Sequence, residues 1–211
     1  MFQPAIFQED RLDVMHKLMR THPFATLISS VTGELTADHI PMILHDDEGE
    51  HGVLRGHVSV GNPLFTQTDG AFDVLGVFQG PQTYITPSWY ASKQEHGKVV
   101  PTWNYAVVHT RGTLNFIRDE SWLLRHLHDL TQQHEGHRPN PWAVSDAPEE
   151  FVKHQLRGLV GFEIQVSSID GKWKVSQNKN EADKSGVASG LLNENTADAD
   201  AISKFMTERA P

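Results

Sequence analysis

The chain has 211 residues, with 27 acidic against 18 basic side chains, a formal charge of −9 and no cysteine. The missing thiols exclude disulfides, thiolate metal ligands and cysteine nucleophiles. The acidic balance, without a block of Lys or Arg, counts against a chain that grips DNA phosphates by itself. No apolar run is long enough to span a bilayer, and none near residue 1 has the length of a secretory leader. The expectation is therefore a soluble cytoplasmic protein without membrane contact.

Residues 9–21 predict a helix, with Leu12, Met15 and Met19 on one face, acids at its start, and Lys17 and Arg20 near its end. Residues 24–30 read as a strand, Thr32-Gly33 as a turn, and residues 35–44 as a second strand in which Pro41 marks an edge or bulge. Asp46 to Gly49 reads as a hairpin turn and residues 53–58 as a strand. Asn62-Pro63 opens a short helix, and residues 71–78 form a strand that Gly80-Pro81 stops. Tyr84 and Ile85 begin a further short run, residues 93–97 a loop, and residues 107–116 another strand. All three tyrosines and two of the five tryptophans lie within residues 73–112. Rings with polar tips at strand breaks suit the mouth of a pocket, and a β-core with interfacial aromatics fits equally well. Residues 119–134 predict the most regular helix, with Leu123, Leu127 and Leu130 on one face, and residues 148–156 a shorter one. Residues 161–169 and 172–176 predict a hairpin closed by Asp170-Gly171, and the polar tail carries Ile202, Phe205 and Met206. The sum is a mainly β, α+β chain, an antiparallel barrel with peripheral helices. It is expected to form one domain over residues 1–177, with a helical extension over 178–211 packed on it.

Several runs resemble the PaiB-type family, described as FMN-binding negative transcriptional regulators. They are Phe78-Gln79-Gly80-Pro81, Tyr84-Ile85-Thr86-Pro87-Ser88-Trp89-Tyr90 and Val100-Pro101-Thr102-Trp103-Asn104-Tyr105. Met1-Phe2-Gln3-Pro4, His22 to Leu27, Gly56-His57 with Asn62-Pro63, and Gly171 to Lys179 extend the likeness over nearly the whole chain. The resemblance implies the FMN-binding split barrel, a homodimer, and a flavin at the subunit interface.

A flavin needs donors for its phosphate, a wall for its rings and amide partners for its pyrimidine edge. Arg55, His57 and Ser59 share one strand face and are the first candidates for the phosphate, although an ordinary half-buried strand gives the same pattern. Relatives commonly place an arginine between this His and Asn62, where this chain has Val60. Lys172 and Lys174 could compensate, with Gln177 close behind them. Thr102, Trp103 and Asn104 are candidates for the ring wall and edge. Ser88 and Trp89 are candidates at a helix start, with Trp89 equally readable as a loop anchor or dimer contact. By the resemblance, Met42 and Ile43 would offer backbone groups to the ring. His126 and His128 point to different faces of their helix and no HExxH is present, so no metal site is expected and the histidine-rich helix reads as solvated. The first functional reading is a dimeric FMN-binding regulator acting on transcription by an indirect route. The alternatives are a flavin-dependent oxidoreductase and, third, a haem-handling protein.

Overall fold

The computed structural model describes residues 1–31 and 33–208. Thr32, half of the turn expected at Thr32-Gly33, lies outside the described residues, as do the last three residues of the expected extension; Gly33 takes φ +86°. The strands are β1 (Gln8–Glu9), β2 (Phe24–Val31), β3 (Glu34–Pro41), β4 (Ile43–His45), β5 (Val53–Ser59), β6 (Phe72–Ile85), β7 (Thr102–Ile117) and β8 (Leu159–Lys174). The helices are α1 (Leu12–Thr21), α2 (Pro63–Thr66), α3 (Ser92–His96), α4 (Glu120–Glu135), α5 (Glu149–Leu156), α6 (Glu181–Leu192) and α7 (Ala197–Glu208). The strands form one sheet in the order β3-β2-β6-β7-β8-β5-β4, with β1 added on β8. β2 runs antiparallel to β3 and β6, and β8 antiparallel to β1 and β5. The hydrogen-bonded path does not close: β3 and β4 are its ends. None of the described helices is long and apolar enough to cross a membrane.

Four expected elements come out differently. Gly80-Pro81 does not stop β6. The buried side of the strand instead switches from even to odd positions there, the mark of a bulge, which is where a strand tolerates proline. A Cβ on Gly80 would lie 2.7 Å from Leu18 Cδ1 and 3.0 Å from the Ala106 carbonyl oxygen, so the glycine serves close packing. Asp170-Gly171 does not turn either. Both residues lie inside β8, with Gly171 opposite Glu9, and a Cβ there would meet Met15 Sδ at 2.7 Å. Residues 93–97 are not an open loop: α3 forms and Gly97 closes it at φ +68°. The strand expected over residues 35–44 ends at Pro41, on a terminal strand of the sheet as its proline demands.

The packing divides into two compact units. The first comprises Met1–Leu18, Gln79–Val108 and the chain from Asp170 onward. Its core joins Ile85, Tyr90, Val175, Val187, Leu191, Ala199 and Ile202, with Phe205 and Met206 packed against them, so α6 and α7 are part of this core. The second comprises Met19–Phe78 and His109–Ile169. In it Leu27, Leu54, Phe162 and Ile164 are buried from the sheet, and Leu123 from α4. Asp119 caps α4 by accepting from the Trp122 backbone N–H.

Candidate functional site

In the first unit, strand alternation sorts the aromatic run by face. Trp103 is 52% exposed, whereas Asn104 is 1% exposed. Tyr84 from β6 meets Trp103 edge-on, their ring centres 6.2 Å apart. Lys172 and Lys174 stand two apart on β8. Lys172 Nζ stands 5.5 Å from the centre of the Tyr105 ring and 5.8 Å from that of Phe2, and donates to the Phe2 carbonyl at 3.0 Å. Lys174 Nζ donates to Thr102 Oγ1 and, at 2.6 Å, to the Trp103 carbonyl. Burial, then the neighbouring Lys172 and Lys179, pull the Lys174 ammonium below its usual range. Among the described residues neither Lys172 nor Lys174 has a carboxylate partner, in a chain with nine more acids than bases. Unmatched cations that repel one another beside exposed rings suit a flat anion.

The other candidates in this unit serve the interior. Asn104 Nδ2 donates to Ser176 Oγ at 2.9 Å, and Asn104 Oδ1 is buried without a partner among the described residues. Ser176 is itself strained, at φ +65°. Trp103 and Asn104 therefore face opposite ways and cannot line one surface together. Gln177 folds back on its own strand, accepting from the Val175 N–H at 2.7 Å and donating to the Trp173 carbonyl. Ser88 is exposed and its N–H is taken by Thr86 Oγ1 at 3.2 Å, so the short turn Pro87–Trp89 caps itself. Trp89 packs on α6, where Gly186 and Gly190 open a notch that any Cβ would fill. Those two glycines, four apart on one helix face, were the missed signal for this packing.

In the second unit the Arg55 guanidinium is already matched, donating to Glu163 at 2.7 Å and to Glu48 at 2.8 Å. Ser59 Oγ accepts from the Gly61 N–H, and Asn62 caps α2 while donating to Asp38 at 2.9 Å. Met42 and Ile43 are core residues, and the Met42 N–H is held by the Pro23 carbonyl at 2.9 Å. His57 Nδ1 lies 3.1 Å from His126 Nε2. His126 is 2% exposed, stacked on Trp122, and its Nδ1 has no partner among the described residues. The reading of α4 as a solvated histidine helix thus fails at His126, though His128 is exposed. Burial, then His57, His45 and Arg55, push the His126 pKa down to about 3; burial also lowers His57. The signal in the sequence was Trp122, four residues before His126 on the same helix face, opposite Gly161, where a Cβ would collide with the indole. Ligand-type atoms of His45, Asp47 and Glu48 approach within 4.8 Å of one another, but Glu48 already answers Arg55.

Residues 1–168 match the model of a family described as "Putative FMN-binding domain". The chain is 31% identical over 209 residues to "Protease synthase and sporulation protein PAI 2" of Bacillus subtilis, covering 99% of this chain and 98% of that protein. Two solved structures share the fold. The FAD and heme binding protein from Mycobacterium smegmatis has a TM-score of 0.59 at 14% identity, over 87% of this chain and 80% of that one. The flavocytochrome Anf3 from Azotobacter vinelandii has 0.58 at 12%, over 85% and 75%. The architecture is the antiparallel split barrel that the sequence motifs implied.

Proposed function

The chain belongs to this FMN-binding, PaiB-type family, and from that premise we propose that it is a cytoplasmic regulatory flavoprotein. In this reading it holds FMN or a closely related flavin as a dimer, at the subunit interface, and lowers transcription of its targets. The observation that carries the reading is the part of the first unit where Lys172 stands by the Tyr105 ring and Lys174 donates to the Trp103 carbonyl, neither with a carboxylate partner among the described residues, and where the exposed Trp103 ring meets Tyr84. The residues fit the group: Lys174 and Lys172 would take the phosphate, and Trp103 and Tyr84 would wall the rings. A bound flavin supplies reversible electron transfer; the protein orients it and keeps its charge matched. The formal charge of −9 favours an indirect effect on transcription over a grip on DNA by this chain alone.

The test is an absorbance spectrum of the protein as purified, with mass spectrometry of whatever denaturation releases. The expected result is a flavin spectrum, or its appearance on titration with FMN. A protein that neither carries nor takes up flavin would remove the reading.

A further inference from the structure

The second unit holds a cavity of about 290 Å³, with Val60 in its lining, whose two arginines have no part in the flavin reading. It lies where the end of β7, the start of α4 and the end of α5 meet the start of β8. Its lining combines two chemistries. Leu123, Leu156 and Val160 are 4%, 5% and 1% exposed and make an apolar floor. Arg118 and Arg157 line the same cavity, and among the described residues neither forms an ion pair, although Arg11, Arg20, Arg55 and Arg138 all do. The Arg118 guanidinium is also held in place, 4.8 Å from the centre of the Phe65 ring, which Phe116 braces edge-on at 4.9 Å. A cation fixed on a ring loses little freedom when it meets an anion.

We propose that this cavity is a binding site for a small monocarboxylate with an apolar body. The carboxylate would meet Arg118 and Arg157, whose planar forks match its two oxygens. The body would lie on the leucine and valine floor. Glu120, the one acid in the lining, sets the charge limit: it repels polyanions and leaves room for a single negative charge. The volume is at the lower edge of small-molecule sites and matches a phenyl or short branched chain.

The test is isothermal titration of the full chain with benzoate, acetate and inorganic phosphate at neutral pH. Benzoate is expected to saturate one site and to bind about tenfold or more tighter than acetate, since the floor contributes through the ring. Arg118→Gln and Arg157→Gln should each weaken benzoate about tenfold, with circular dichroism unchanged. Among the described residues Arg157 has no cation–ring contact, so its variant keeps the test valid if Arg118→Gln disturbs Phe65. No saturable benzoate binding, affinity unchanged in both variants, or acetate and phosphate binding as well as benzoate would each overturn the proposal. Flavin uptake by the same samples is read separately and does not bear on the outcome.

Discussion

Trp103 and Asn104 are neighbours in sequence and opposites in the fold, and their replacement separates ligand contact from scaffold. Trp103→Ala removes an exposed ring whose only ring partner among the described residues is Tyr84. Its stability should stay within about 0.5 kcal/mol of the parent while flavin affinity falls about tenfold, read by fluorescence titration. Asn104→Ala removes the bond to the strained Ser176 from a buried site and should cost about 1–2 kcal/mol in urea unfolding. His126 makes a second prediction at this scale. Its folded pKa of about 3 lies below the ordinary 6.5, so the unfolded chain takes the proton first. The stability this group contributes is complete above about pH 6.5 and drains away as pH falls toward 3, by about 1.4 kcal/mol per unit. His126→Leu should flatten the change in urea midpoint between about pH 7 and about pH 5. An unchanged slope would mean that other groups set the acid limit.

At the scale of elements, the glycines decide what the strands and helices can do. Gly80 and Gly171 read as turn residues in the sequence because each stands beside a turn former, Pro81 or Asp170. The fold uses them instead to let Leu18 and Met15 press on the strand backbone. Local sequence carries turn propensity, whereas the approach of a distant side chain is invisible until the elements are packed. The strongly periodic elements, α1, α4, β2 and β5, were legible because one face of each is buried. The lysine pair on β8 was legible by period-two alternation, while its setting against Tyr105, Thr102 and Trp103 was not, since those partners lie about 70 positions away. The α6 notch gives the test. Gly190→Ala places a methyl against the Trp89 ring, so the ring or the helix must move. The expected loss is about 1–3 kcal/mol in chemical denaturation, with residual flavin affinity little changed at low temperature. Full stability in this variant would show that Trp89 does not rest on α6.

For the whole molecule, the proposed site makes assembly and ligand binding two readings of one equilibrium. If flavin sits at a subunit interface, it binds the dimer better than the monomer, and mass action then requires that flavin tighten the dimer by the same factor. The prediction is that sedimentation at low micromolar protein shows a larger dimer fraction when FMN is added. Lys174→Met should lose that shift, because the ammonium that donates to Thr102 and Trp103 has no carboxylate partner among the described residues and can answer a phosphate. The same variant should dimerise more readily than the parent in the absence of flavin, since a face of unmatched lysines repels its own copy and the substitution removes one of those charges. A dimer constant indifferent to FMN, in a protein that nonetheless binds it, would place the ligand within a single subunit and leave the interface to serve stability alone.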